Sequence, residues 1–121
     1  MLRLKLQHTS GELPTSSFNL VDNQDNTIGR VQIRHKPSNG IGIPPEYASH
    51  IYYEINKNER KKGYGTTALT LALKEANKMG IKPIIITCYK NNTGSKKIIE
   101  KNGGLLIDSY TLKTGEIFLK Y

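Results

Sequence analysis

The chain has few of the residues that build disulfides and metal sites. Its 121 residues include a single cysteine, Cys88, which excludes an internal disulfide and Cys-x-x-Cys metal motifs. The three histidines, His8, His35 and His50, lie far apart in the sequence, and no metal site is expected. We expect Cys88 to be a small buried apolar residue rather than a nucleophile.

Long apolar runs are also missing. None approaches the roughly 20 residues that cross a membrane as a helix. Residues 1–6 alternate between apolar and basic side chains, unlike the continuous apolar core of a signal peptide. The composition, with 36% hydrophobic and 23% charged residues, is typical of a soluble globular protein, and the length predicts a single domain, residues 1–121. We therefore expect a cytoplasmic protein without a membrane partner.

Acidic residues are scarce in one part of the chain. Between Lys57 and Lys101 there are eleven lysines and arginines but only three acidic residues, whereas the rest of the chain has seven of each sign. The net charge of +8 therefore lies wholly in this segment. The segment is either a set of solvated lysines on helix surfaces or a basic surface for a polyanion, such as a phosphorylated cofactor or nucleic acid.

Hydrophobic periodicity predicts alternating strands and helices. Strands are predicted at residues 2–6, 18–21, 27–35, 50–56, 83–89, 105–110 and 116–121, with 18–21 and 27–35 forming a hairpin, and loops at 8–17 and 36–47. Helices are predicted at 66–79, with one buried apolar stripe, and at 92–102, capped by Asn92. The run 83–89 is continuously apolar, which is typical of a strand covered on both faces. The loop 36–47, rich in proline and glycine, is a candidate rim for a substrate site.

The most informative segment is the turn Arg60-Lys61-Lys62-Gly63-Tyr64-Gly65, between a predicted strand and a predicted helix. Glycines allow backbone N–H groups to approach an anion closely, and a helix N-terminus is partially positive. Three cations directly before two glycines favour a phosphate cradle over a plain turn. The dinucleotide-binding fingerprint fits poorly, because residues 56–62 separate the glycines from the strand and no ribose-binding carboxylate follows.

Two segments together resemble the GNAT superfamily of acyl-CoA-dependent N-acyltransferases. Residues 60–65 are similar to its (Q/R)xxGx(G/A) signature. Downstream, Asn92, Ser95 and the segment 98–104 are similar to its second motif, which has an asparagine, a small residue three positions on, and a helix ending in Lys-x-Gly. The resemblance is strongest over residues 51–104. It implies an α+β (mixed αβ) fold with a mostly antiparallel central sheet, a splayed parallel pair of strands and flanking helices.

The resemblance also implies acetyl-CoA as cosubstrate and an amine as acceptor, with no metal. The pyrophosphate would lie on the turn, the pantetheine arm beside the preceding strand, and the thiol near the second motif. The implied cofactor-binding residues are Tyr53, Glu54 and Ile55 on the strand, Arg60, Lys61, Lys62, Gly63, Tyr64, Gly65 and Thr66 in and after the turn, and Asn92 and Ser95 in the second motif.

Catalysis in such a site would be direct attack of the amine on the thioester, with a backbone N–H near Ile55 stabilising the oxyanion. The amine must be neutral, so a general base, or a water held by one, is required. Glu54 is the first candidate, with Tyr53 and His50 as alternatives. Strand alternation places Glu54 and His50 on one face and Tyr53 on the other. Two non-catalytic alternatives stay open: Tyr53 packs in the core, and Glu54 is a surface carboxylate without a role in catalysis.

Two departures from the family pattern matter. Ile99 stands where many members carry a tyrosine that protonates the departing thiolate, so another group, such as Tyr89, or water would serve. The family usually begins with two helices that wall the acceptor pocket, whereas only a short stretch precedes the first hairpin here. We expect a short form whose acceptor site is open or is completed by a partner subunit, for instance in a homodimer.

Two other functions stay open from the sequence. The isoleucine at position 99 is compatible with a non-catalytic acyl-CoA-binding or regulatory module that keeps only the phosphate cradle. A small basic nucleic-acid-binding protein is less favoured, because no stacking aromatic residues accompany the cations in a recognisable pattern.

Overall fold

The computed structural model describes residues 2–10, 15–35 and 48–121. Within these ranges the chain forms seven strands and two helices: β1 (Arg3–Ser10), β2 (Thr15–Val21), β3 (Thr27–Arg34), β4 (Ile51–Ile55), α1 (Tyr64–Lys78), β5 (Thr87–Tyr89), α2 (Thr93–Lys101), β6 (Asp108–Thr111) and β7 (Ile117–Lys120). A single 3₁₀ turn, Lys57–Glu59, follows β4. The predicted loop 36–47 lies outside the described residues.

The first sheet is antiparallel, in the order β1-β2-β3-β4. The predicted hairpin is confirmed, since Asp22 in the turn between β2 and β3 accepts hydrogen bonds from the N–H groups of Gln24 and Asn26, both at 2.9 Å. The prediction of a loop over residues 8–17 is wrong at both ends. β1 continues to Ser10 and β2 begins at Thr15, because pairing with neighbouring strands satisfies the backbone of these polar residues.

The second sheet has the order β5-β7-β6 and is also antiparallel. The predicted strand over 83–89, covered on both faces, is wrong: only Thr87–Tyr89 forms a strand, and burial alternates along it. The predicted strand 105–110 also begins late, at Asp108. Residues 105–107 stay outside the strand with exposed side chains, although the Ile107 N–H still donates to the Lys120 carbonyl at 2.9 Å. The apolar composition of both segments therefore overstated their strand lengths.

The two sheets separate between β4 and β5, the pair predicted to splay. Their backbones meet where the His50 N–H donates to the Ile85 carbonyl at 2.8 Å, and beyond that point β4 and β5 belong to different sheets. α1 covers β4 with a buried stripe of Ala68, Leu69, Ala72 and Ala76. α2 packs against α1. The α+β fold class with antiparallel sheets and flanking helices is as predicted.

Candidate functional site

The turn between β4 and α1 leaves the start of the helix open. Gly63 precedes α1 with φ +79°, a left-handed conformation that favours glycine, and no side chain caps the helix there. The N–H groups of Tyr64, Gly65 and Thr66 have no partner within the helix, as at every helix N-terminus. A Cβ added at Gly63 would meet no atom of a residue beyond its chain neighbours within 4 Å, so the space beside Gly63 at the start of the helix is open. This is the geometry of an anion site.

Basic side chains surround the turn, but not all of them are free. The Arg60 Nε donates to the Ile55 carbonyl at 3.0 Å, and Lys62 forms an ion pair with Glu59 at 3.1 Å. Lys61 has a positive φ of 64°, which is uncommon for a residue with a side chain. Strained backbone of this kind is concentrated at functional sites. Lys97 on α2, which the sequence did not single out, lines the same space.

Contacts between the two helices fix the position of the turn. A Cβ at Gly65 would lie 2.7 Å from Cδ1 of Ile98, so glycine permits α2 to approach the first turn of α1. Asn102 joins the helices by donating to the Thr66 carbonyl at 3.2 Å and the Ile98 carbonyl at 3.0 Å. The Thr70 hydroxyl donates to Asn102 Oδ1 at 2.6 Å. No sequence pattern indicates this cluster, because Asn102 lies 32 and 36 residues from its partners Thr70 and Thr66 on α1.

Two cavities meet beside the turn. The first, which we call the cradle cavity, has a volume of about 550 Å³ and is lined by Tyr53, Glu54, Ile55, Glu59, Arg60, Lys61, Gly63, Tyr64, Gly65, Thr66, Asn92, Gly94, Ser95, Lys97 and Ile98. The second, the cleft cavity, occupies the gap between β4 and β5 with about 370 Å³ and is lined by Ile51, Tyr52, Tyr53, Ile86, Thr87, Cys88, Tyr89, Asn92, Ser95, Ile99 and Phe118. Three residues line both: Tyr53, Asn92 and Ser95.

The backbone of β4 turns half of its polar groups toward this space. Asn56 N–H donates to the Ile28 carbonyl at 2.8 Å, and Arg34 N–H donates to the His50 carbonyl at 2.8 Å, so the even-numbered residues here pair with β3. In an antiparallel ladder the intervening residues point their N–H and C=O groups to the opposite edge. The backbone groups of Tyr53 and Ile55 therefore face the free edge of β4, where the sheet has no further described strand.

The predicted site residues on β4 fall on opposite faces, as alternation required. Glu54 lies on an exposed face, where its Oε2 accepts hydrogen bonds from the Tyr52 hydroxyl at 3.0 Å and from Arg30 at 3.0 Å. These two contacts, the tyrosine first, lower the pKa of Glu54 below its ordinary value. Arg30 also stacks over the Tyr52 ring, 5.7 Å from its centroid. The carboxylate is therefore ionised and already engaged.

His50 connects the sheets at the start of β4. Its Nδ1 accepts a hydrogen bond from the Ile85 N–H at 2.9 Å, beside the backbone bond between the same two residues. Burial lowers the pKa of His50. The imidazole is thus neutral with its proton on Nε2, a form that donates rather than accepts at that nitrogen. The sequence contained no sign of this contact.

Tyr53 points the other way from Glu54, toward the core. The ring is half-buried, and its hydroxyl is the one buried side-chain oxygen or nitrogen among the described residues that lacks a hydrogen-bond partner. Burial raises the pKa of Tyr53, and the nearby Ser95 side chain offsets only part of this, without a hydrogen bond of ordinary geometry. Asn92 caps α2 as predicted, since its Oδ1 accepts from the Ser95 N–H at 3.1 Å.

The remaining residues of the cleft are apolar or shielded. Ile99 is 2% exposed and lines the cleft cavity from α2. Cys88 is buried, as predicted, and burial raises the pKa of its thiol, which makes it a poor nucleophile. The Tyr89 ring packs edge-on against Phe118 with centroids 4.7 Å apart.

Metal and membrane features can be described for part of the chain. The described ranges contain no group of three or more His, Cys, Asp or Glu side chains placed to hold a metal ion. No helix in residues 2–10, 15–35 and 48–121 is both long and apolar enough to cross a membrane.

The chain's similarity to known proteins lies in one family. The sequence profile of the acetyltransferase (GNAT) domain matches residues 4–104, and no curated protein matches the chain. Similar solved structures include a Bordetella pertussis protein assigned to the GNAT family (TM-score 0.66, 14% identity, 88% of this chain and 64% of that chain). A second is that of mutant forms of the spermidine/spermine N-acetyltransferase SpeG from Vibrio cholerae (TM-score 0.65, 18% identity, 88% of this chain and 64% of that chain). A third is the aminoglycoside acetyltransferase AAC(6')-Ib in complex with coenzyme A and kanamycin (TM-score 0.63, 17% identity, 88% of this chain and 66% of that chain).

These structural similarities, at identities below a quarter, show the fold alone. The chain spans 64% of the length of the first two structures. The profile match covers most of the sequence and agrees with both sequence motifs and with the splayed fold. The chain therefore belongs to the GNAT acetyltransferase family.

Proposed function

We propose that the protein transfers the acetyl group of acetyl-CoA to an amine of a small molecule or peptide by direct attack. One observation carries the proposal: the uncapped N-terminus of α1 opens into a cavity that continues into the gap between β4 and β5. The arrangement fits a ligand that is anionic at one end and carries a narrow reactive arm at the other. The volume of the cradle cavity is within the usual range for ligand sites.

The cradle would hold the pyrophosphate of acetyl-CoA. The amides of Gly63, Tyr64, Gly65 and Thr66 would donate to the phosphate oxygens, where the helix dipole adds to the attraction. Arg60, Lys61, Lys62 and Lys97 would supply the charge around them. Because Lys62 and Arg60 already have protein partners, we propose that Lys61 and Lys97 contribute most of the direct charge pairing.

The free edge of β4 would bind the pantetheine arm. Amides of the arm can pair with the backbone groups of Tyr53 and with the Ile55 N–H, as an added strand pairs with a sheet edge, while the Ile55 carbonyl already accepts from Arg60. The thioester would then reach the junction lined by Tyr53, Asn92 and Ser95. A backbone N–H near Ile55 is the proposed donor to the developing oxyanion, since a fixed amide needs no reorganisation during the reaction. Direct attack is favoured over an acetyl-enzyme, because Cys88 is buried and protonated.

The acceptor amine would approach from the exposed face of β4. Glu54 remains the first candidate for its base, and we propose that it acts through a bound water or by holding the amine. Its lowered pKa makes it a weak proton acceptor but a stable anion. His50, with Nδ1 occupied by the Ile85 N–H, and Tyr53, protonated and facing the core, are less suited to accept a proton. Glu54→Gln should therefore lower turnover, and unchanged turnover would remove Glu54 from the mechanism.

The choice of amines to test follows from the fold's relatives. SpeG is named for spermidine and spermine, and AAC(6')-Ib is described with kanamycin, so polyamines and aminoglycosides belong in the panel with amino acids and peptides. Release of free CoA thiol should appear with at least one amine and depend on both substrates. Tight CoA binding without thiol release across the whole panel would instead favour the non-catalytic acyl-CoA-binding module.

Three broader points belong to the same proposal. Residues 1–121 would act as one domain, and the cytoplasm, where acetyl-CoA is available, would be its location. A homodimer would offer one way to complete the acceptor site, whose proposed face is exposed at Tyr52 and Glu54 on β4 and at Arg30 on β3. Sedimentation of the protein with and without acetyl-CoA would decide whether a second copy takes part.

A further inference from the structure

The hydroxyl of Tyr53 makes no hydrogen bond of ordinary geometry to any described residue, although the Ser95 side chain lies near it. A buried hydroxyl without a partner costs free energy relative to a phenylalanine. A buried polar atom without a partner requires an explanation such as a ligand group absent from the structure. The rest of the ring packs against the core together with Ile55 and Ile51. Packing alone would therefore be served equally well by phenylalanine.

The position of Tyr53 indicates which ligand group its hydroxyl meets. Tyr53, Asn92 and Ser95 form the junction between the cradle cavity and the cleft cavity. A cosubstrate whose phosphates lie on the turn and whose acyl group lies between β4 and β5 must pass this junction. Its sulfur, next to the acyl carbon, lies at the inner end of the arm.

The other side chains of the cleft are less suited to protonate the sulfur. Thr87 and Ser95 carry aliphatic hydroxyls, which are much weaker acids than a phenol. Tyr89 is a second phenol in the cleft, but it does not line the junction with the cradle cavity, and its ring packs edge-on against Phe118. Ile99 has no proton to give, and the Tyr52 hydroxyl donates to Glu54. Cys88 is a weak donor. We propose, on the basis of the proposed function, that Tyr53 Oη is the proton donor to the departing CoA sulfur. The donor would then lie on β4 rather than on α2.

The proton balance of the step is complete without another reagent. The amine nitrogen forms a bond to the acyl carbon, the carbon–sulfur bond breaks, and the sulfur takes the proton of Tyr53 Oη. The nitrogen loses one proton to solvent or to the base, and one proton from solvent returns to the Tyr53 oxygen through the open junction. The products are the amide and the free thiol.

The first test compares Tyr53→Phe with Tyr110→Phe, a matched loss of one hydroxyl on β6, which lines neither cavity. With the amine that the wild type accepts, Tyr53→Phe should lower kcat by about 100-fold, the lower range for a general acid, with little change in the KM for acetyl-CoA. Its melting temperature should be unchanged or higher, because an unpartnered buried hydroxyl is removed. Tyr110→Phe should keep its kcat.

A second measurement needs no acceptor. If Tyr53 donates to the sulfur, the thiol of bound CoA should have a lower pKa in the wild type than in Tyr53→Phe, followed by NMR of CoA labelled with carbon-13 beside the sulfur. Equal thiol pKa values, or an undiminished kcat in Tyr53→Phe, would overturn the inference while the proposed function stands. A fall in kcat in Tyr89→Phe instead would assign the proton to Tyr89. Failure of the wild type to bind CoA would overturn both.

Discussion

Replacing Gly63 by aspartate tests the phosphate cradle most directly. Gly63 and Gly80 stand at the two ends of α1 with the same φ, +79°, and a Cβ at either position would meet no atom within 4 Å. Aspartate at either site therefore carries the same backbone penalty, about 1–2 kcal/mol for a left-handed residue. The two positions differ in that the Gly63 side chain would stand at the amides of Tyr64, Gly65 and Thr66. Gly80→Asp is thus a matched control for backbone strain.

The expected loss of affinity follows from charge. Two unit charges about 4 Å apart repel by roughly 1 kcal/mol in water and about 4 kcal/mol near a protein surface. The two charges of a pyrophosphate would then cost at least about 2 kcal/mol, or roughly 30-fold in Kd.

Calorimetric titration of CoA into the two variants and the wild type measures this effect. We expect Gly63→Asp to weaken binding by at least about 30-fold, while Gly80→Asp binds as the wild type does. Urea unfolding of both variants checks that each is folded at the titration temperature. Equal CoA affinity in the two variants would refute the cradle, because it would show that the charge at residue 63 does not meet the ligand.

Three further outcomes follow from other contacts. Asn102→Ala should lower the free energy of unfolding in urea by roughly 2–3 kcal/mol, since it removes two hydrogen bonds to α1 and one to the Ile98 carbonyl of α2. A loss below about 0.5 kcal/mol would contradict that role. Because the pKa of His50 is lowered in the folded state, the free energy of unfolding should be highest above the unfolded pKa of about 6.5 and should fall as the pH drops below it. Urea unfolding at pH 7.5 and 5.5 should therefore show a loss of stability at the lower pH. This loss should be smaller in His50→Asn, which keeps an acceptor for the Ile85 N–H. Cys88→Ala should keep turnover and accumulate no acetyl-enzyme, whereas loss of activity in a folded variant would point to covalent catalysis.

The features that could be predicted from the sequence are local ones. Gly63 was identified because three cations followed by glycines at a predicted helix start form a pattern of consecutive residues. Asn92 was identified as a cap for the same reason, since its partner, the Ser95 N–H, is three residues away. The stripe of α1 followed from its 3.6-residue period. In each case the interacting groups are close in the chain, so the pattern is readable without the fold.

The features that could not be predicted depend on distant partners. The apolar run that contains Ile84 and Ile85 predicted a long strand, but the sheets separate there and only Thr87–Tyr89 is paired as a strand. The link between His50 and Ile85 spans 35 residues of sequence. The unpartnered hydroxyl of Tyr53 could not be predicted from the sequence, because it depends on the absence of a hydrogen-bond partner on the elements packed around it in the described structure. Such features require the packed structure.

The splay between β4 and β5 leaves one edge of β4 without a neighbouring strand in the described part of the chain. If the two strands were paired along their length, the backbone groups of Tyr53 and Ile55 would be satisfied and no cleft would exist. The contact between His50 and Ile85 holds one end of the gap closed, and beyond it β4 presents donors and acceptors to a cavity rather than to a strand. Unpaired polar groups at a buried edge are costly unless something binds them. In the proposed function, an extended arm with amides, anchored by phosphates at the uncapped end of α1, would satisfy that edge, and its sulfur would then lie near the one buried hydroxyl that the described residues leave without a partner.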